Sequence, residues 1–305
     1  MTTRLVAMIV ALLAISVAPA RADDEDDAPK REEDTSARPK GKGKAKAKAE
    51  AAPAEAGAMV EVGSPKARMT LPGGKFVITA VVEANMAKDT VGKPLSVAPD
   101  LWIGVHDRFS FGLVHSGRAA TGFLTGFGTG LCFRGGGATG FCGSGLGDVY
   151  TFAGAEARLG LTEGGFALAL VAGMHARAFD PELVLSSKAG FLVRLHSSRI
   201  ALEVAPSFYI GVTQREFNVD TFGAPVTMFF RLAGSFAIAL QGGVAFVLKD
   251  AGNTWQIPAA VGFSWWVTPH ISFDAAFGLA AVADSDDMTK AFDRRSISVG
   301  LGYAL

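Results

Sequence analysis

Residues 296–305 read SISVGLGYAL, an alternation in which Ile297, Val299, Leu301, Tyr303 and Leu305 share one face and Ser296, Ser298, Gly300, Gly302 and Ala304 the other. Successive side chains of a β-strand point to opposite faces, so the run predicts a strand with one bulky apolar face and one face of small residues. A soluble sandwich that hides its large residues in a core carries Lys, Glu and Thr on the opposite face. Gly, Ala and Ser there instead suit a wall with lipid on one side and a tight lumen on the other. Residues 236–248 repeat the pattern: Phe236, Ile238, Leu240, Val244, Phe246 and Leu248 oppose Ala237, Ala239, Gln241, Gly243, Ala245 and Val247.

Working outward, the same alternation predicts twelve strands, at 75–86, 95–106, 109–117, 148–160, 166–178, 183–195, 199–213, 223–232, 236–249, 254–267, 271–284 and 294–305. Most are longer than soluble strands and near the length that crosses a bilayer at a tilt. The number is even, as a closed antiparallel barrel prefers. Connectors after even strands are short: around Asp107, then 162–165, 196–199, 233–235 and 268–270. Those after odd strands include the longest, 118–147. Phe109, Phe166, Phe230, Phe236, Trp265 and Tyr303 fall on the outward face beside the short turns, which predicts an aromatic girdle at one membrane interface. The fold class expected is all-β: a transmembrane antiparallel up-and-down barrel behind a disordered N-terminal tail.

The rest of the chain sets the context. It has 305 residues, with 29 Lys and Arg against 29 Asp and Glu, so no net field steers it toward nucleic acid. Arg4, the apolar run 5–17 and the small residues around Ala20 and Ala22 predict a signal peptide over 1–22. Residues 23–57 hold ten acids and eight bases and almost no large apolar side chain, which predicts a solvated, disordered linker rich in Lys and Ala. A pre-barrel segment at 58–74 leads into the barrel at 75–305.

Through the leader, the strand pattern over about 75–305 and the final strand, the sequence resembles the outer-membrane β-barrel proteins of Gram-negative bacteria, with porin-like character and no particular subfamily indicated. The last strand of such proteins is usually an assembly signal ending in an aromatic residue. Ile297, Val299, Leu301 and Tyr303 match its alternate hydrophobic positions, and Leu305 stands where the aromatic residue is usual. The resemblance implies outer-membrane lipid and the outer-membrane assembly machinery as partners, with the N-terminal tail in the periplasm. It leaves the oligomeric state open.

Inward positions carry five acids, Glu83, Asp100, Glu156, Glu203 and Asp274, and five bases, Arg158, Arg177, Lys188, Arg194 and Arg231. Two roles fit such a set: structural pairing that closes the lumen, or a wet constriction that selects solutes. Inward glycines at 243, 262, 278, 300 and 302 predict space in the lumen. The function expected is a narrow passive channel for small solutes, and the alternative is a non-conducting barrel that recognises a partner through the loop 118–147.

That loop carries the only two cysteines, Cys132 and Cys142, whose pairing an oxidising compartment favours and which stabilises by about 3 kcal/mol in the chain-entropy model. It is expected to fold over or into the barrel mouth, with Phe123, Phe127, Phe133 and Phe141 packing there. A lipid-modifying enzyme is a weaker reading, since His196 and Ser198 have the right spacing but fall in a predicted short turn. No catalytic residue, metal site or cofactor is predicted.

Overall fold

Lipid offers no hydrogen bonds to the N–H and C=O groups of a sheet edge, so a sheet that spans a bilayer has to close. The computed structural model describes residues 68–87, 91, 95–125, 131–134, 152–179, 182–284 and 294–305. In chain order its elements are β1 (Phe76–Asn85), β2 (Leu95–His106), β3 (Phe109–Val114), the short helix α1 (Gly117–Thr121), β4 (Leu131–Arg134), β5 (Ala153–Thr162), β6 (Phe166–Ala178), β7 (Val184–His196), β8 (Ile200–Val204), β9 (Ser207–Gly211), β10 (Thr221–Ala233), β11 (Phe236–Val247), β12 (Gln256–Trp266), β13 (Ile271–Asp284) and β14 (Arg295–Ala304). Each wall strand pairs antiparallel with its neighbours, and β1 pairs with both β2 and β14, which closes the ring. At the seam the Phe76 and Leu305 backbones exchange hydrogen bonds of 3.2 and 3.0 Å.

β8 and β9 form one wall strand, since both lie between β7 and β10. The break falls at Ala205–Pro206, opposite Ala224–Pro225. Neither proline has an N–H for the ladder, so the regular pairing is interrupted there, with the Ala205 N–H still donating to the Pro225 carbonyl at 3.1 Å. Counted this way the barrel has twelve wall strands, as the alternation predicts. β4 is additional: Leu131 and Cys132 pair with Val97 and Ser96, along the part of β2 that extends beyond β3. The strand expected over 109–117 ends at Val114, because Ser116 leaves the sheet to cap α1, its side chain accepting from the Ala119 N–H at 3.1 Å.

The faces follow the sequence. Ser296, Ser298, Gly300, Gly302 and Ala304 are buried inward, while Leu301, Tyr303 and Leu305 are exposed outward. Ile78, Leu113, Leu170, Leu240, Val261 and Phe277 extend the exposed apolar face over the other strands, a band too large for a water-facing surface. The barrel is therefore transmembrane, of the outer-membrane type. Phe109, Phe166, Phe230, Phe236, Trp265 and Tyr303 all stand at the rim of short turns, with Phe236 directly across from Trp265.

Residues 1–67, 88–90, 92–94, 126–130, 135–151, 180–181 and 285–293 lie outside the described residues. The predicted leader and linker, most of the pre-barrel segment, Phe127, Phe141 and Cys142 fall there.

Leu240 lies at mid-strand, directly across from Val261. Leu240→Arg is expected to lower the folding free energy of the barrel in lipid vesicles by about 2 to 4 kcal/mol, and Leu232→Arg, beside a turn, by about 1 kcal/mol or less. Equal costs in urea titrations would contradict a membrane midplane at Leu240.

Candidate functional site in the barrel lumen

The inward faces converge on two pieces of chain that enter the lumen. The first is residues 115–125, which leave β3 and cross the interior instead of standing above the rim. Asp100 on β2 anchors the start: one carboxylate oxygen accepts from the His115 and Ser116 N–H groups at 2.7 and 2.9 Å, and the other from the Ser116 hydroxyl at 2.5 Å. The next anchor is Arg118 on α1, whose guanidinium bonds both carboxylate oxygens of Asp274 on β13. On the opposite wall the Ala120 carbonyl accepts from Lys188 Nζ at 2.7 Å and from the Tyr209 hydroxyl at 2.9 Å. Gly122, left-handed at φ 77°, ends the helix by returning its N–H to the Arg118 carbonyl. Beyond it Gln241 on β11 closes the crossing, accepting from the Leu124 N–H at 2.6 Å and donating to the Gly122 carbonyl at 2.9 Å.

Small wall residues make room for this crossing. A Cβ on Gly300 would fall 2.6 Å from Arg118 Nη2, one on Gly243 would lie 2.8 Å from the Phe123 ring, and one on Gly278 would strike Thr125. The space expected at these three glycines is therefore filled by chain. Phe123 packs inside, as expected of the loop, and Leu124 packs among Ala201, Phe229, Ala239 and Ala276.

The second piece is residues 69–72, at the short-turn end. Met69 packs on Ala167 and Ala169 of β6, and the Thr70 hydroxyl donates to the Asp107 carbonyl at 2.8 Å. The Leu71 N–H donates to the Ser110 hydroxyl at 2.7 Å, and its side chain joins an apolar cluster with Val77, Trp102, Trp266 and Ala304. The segment thus spans the mouth from β6 toward β12 and β14.

Two cavities result. One of about 180 Å³ lies between the two pieces, lined by Arg68 and Met69 on one side and Arg118 to Leu124 on the other. A vestibule of about 580 Å³ opens on the long-loop side of α1, bordered by Phe123, His175, Arg177, Tyr209 and Arg294.

The ten predicted lumen charges all sit on inward positions, but they pair differently from a belt of wall residues. Arg194 binds Glu203 through Nε at 3.0 Å, with a second contact from Nη2. Glu156 is buried and takes Lys188 at 2.6 Å and His175 at 3.0 Å. Asp100 and Asp274 are held by residues of the crossing, and Glu83 lies level with Ser96 and Ser298. Arg177 stands in the vestibule, and the Arg231 N–H is bonded to the Arg199 carbonyl. The acids Glu83, Asp100 and Asp274 occupy the side formed by β13, β1 and β2, whereas Arg158, Lys188 and Arg194 occupy β5 and β7. Arg118 is the residue that sequence reasoning missed; its place in a loop without periodicity gave no sign that it answers Asp274.

Among the other predicted residues, Cys132 is on β4 and Ser198 is in the turn that the Ser197 N–H closes onto the Ile200 carbonyl. On the long-loop rim Arg215 bonds Asp220 and holds its carboxyl below the ordinary range. A lowered carboxyl pKa means the pair is intact at neutral pH and is lost as pH falls through that lowered value.

No family model and no curated protein matches the chain. Among solved structures it is similar to the KdgM porin in complex with disordered oligogalacturonate, at 9% identity over 74% of this chain and 98% of that one, with a TM-score of 0.48. It is also similar to the NanC porin, at 9% identity over 75% and 100% with a TM-score of 0.48, and to a loop-deleted OmpT of Vibrio cholerae, at 11% over 75% and 98% with 0.38.

Arg118→Met leaves Asp274 buried without its partner and is expected to cost about 3 kcal/mol in urea unfolding. Arg118→Met combined with Asp274→Leu is expected to recover most of that loss. A double variant as unstable as the single one would mean that Arg118 does not hold the crossing through Asp274.

Proposed function

We propose that the barrel is a narrow passive channel for small solutes in the outer membrane of a Gram-negative bacterium. The observation that carries this reading is the pair of cavities on either side of the 115–125 crossing, both bordered by charged side chains. A barrel that serves only as an anchor gains nothing from such groups, because each buried charge costs free energy unless it is paired or wet. Solutes would enter the vestibule, pass the edge of α1, and leave past residues 69–72 at the short-turn rim.

In the same reading the short turns face the periplasm, as the tail at 23–57 does after removal of the leader at 1–22. The last strand, from Ile297 to Leu305, would serve as the signal for the assembly machinery. A Cys132–Cys142 bridge would brace the chain that follows the crossing, on the loop side. Within this arrangement residues 69–72 act as a restriction at the exit.

The refolded protein in a planar bilayer is expected to give small, discrete conductance steps. Deleting residues 58–72 is expected to enlarge them, since that removes the chain across the short-turn mouth. Heat-modifiable mobility in gels checks that both proteins are folded. Folded barrels that show no steps at any voltage, with or without residues 58–72, would overturn the channel reading.

A further inference from the structure

The 180 Å³ cavity is bordered by an arginine that forms no ion pair with a carboxylate among the described residues. Arg158, on β5, stacks over Trp102 with its Cζ 3.8 Å from the ring centroid. Its Nε is buried and has no hydrogen-bond partner. Glu203 is engaged by Arg194, and Glu156, which does not border the cavity, holds Lys188 and His175 through Oε1 while its Oε2 is buried without a partner. Asp100, the other carboxylate bordering the cavity, accepts from His115 and Ser116. Across from this wall Arg68 adds a second cation from the terminal segment.

The wall thus holds a planar donor fork, oriented by an aromatic face and backed by Lys188 and Arg194, whose Nε meets no acceptor among the described residues. A guanidinium in that state matches the two oxygens of a carboxylate or phosphate. We infer that Arg158 is the centre of an oxyanion-binding site in the lumen, and that the channel favours small solutes bearing a carboxylate or phosphate group. This inference rests on the channel reading for its transport consequence, and on the cavity alone for binding.

The vestibule agrees in sign. Among the described residues Arg177 and Arg294 border it and no Asp or Glu does, although Arg294 lies 3.8 Å from the Asp284 carboxylate. An anion therefore meets cations before the crossing and again beyond it, a distribution that raises its local concentration along the path.

Three measurements separate the possibilities. In a potassium chloride gradient the reversal potential is expected to show chloride preference. Inorganic phosphate and acetate, added separately, are expected to reduce the chloride current, and Arg158→Met to weaken that block by about tenfold or more, the equivalent of one charge-assisted hydrogen bond. Weakened block by phosphate alone would assign the site to phosphate groups, and by acetate alone to carboxylates. Conductance steps with no anion preference, or block unchanged in folded Arg158→Met, would overturn the inference and leave the channel standing.

If no steps are seen, binding is read by thermal unfolding in detergent. Phosphate is expected to raise the melting temperature of the original protein and not of Arg158→Met. An equal rise in both, or none in either, would overturn the site independently of conduction.

Discussion

Closure of the sheet is the constraint on which everything else in this molecule depends. Because β1 meets β14, no strand edge faces lipid, and every wall strand can turn large apolar residues outward without exposing unpaired backbone. That leaves the inner face with an unusual freedom. It need not supply a continuous apolar core, and Ser, Gly, Ala and charged residues share it with small apolar clusters around Trp102 and Phe229. Stability then comes from ladder hydrogen bonds and the lipid-facing band, and the interior can be used for other purposes.

The interior is used for a crossing strap. Residues 115–125 are tied at Asp100, Asp274, Lys188, Tyr209 and Gln241, which lie on five different wall strands. These ties draw on polar groups distributed around the ring, so the strap position is set by the whole barrel and not by one neighbour. Its geometry also explains why the lumen charges are uneven: with Arg118 from the strap, the five wall acids meet six bases. Arg118 is delivered to the acidic side, and on the basic side the Nε of Arg158 meets no acceptor among the described residues.

The wall was legible in the sequence because a strand has a period of two residues, and lipid and lumen make opposite demands on its two faces. Ile297 to Leu305 and Phe236 to Leu248 show this without ambiguity, and the short turns gave the parity. What was not legible depends on contacts between distant residues. His115 to Thr125 has no periodicity, and a five-residue helix is too short to announce itself. Gly243, Gly278 and Gly300 were read as space because nothing near them in sequence fills it; Phe123, Thr125 and Arg118 do so from more than a hundred residues away. Met69 to Pro72 gave no signal either, since its role rests on Ser110, Asp107 and Ala167. The strand expected over 199–213 is split into β8 and β9 because Pro206 lies beside Pro225 of the neighbouring strand, a juxtaposition that only the fold supplies.

In the proposed channel a strap across the lumen leaves a path for small solutes, wider on the long-loop side than on the short-turn side. The most direct test is exclusion of uncharged polymers of graded size, added to one side of a bilayer at a time while the ionic current is read. Moderately sized polymers are expected to lower the current from the long-loop side and to have no effect from the short-turn side. Equal size limits from both sides, at the width of an unobstructed twelve-stranded barrel, would contradict it.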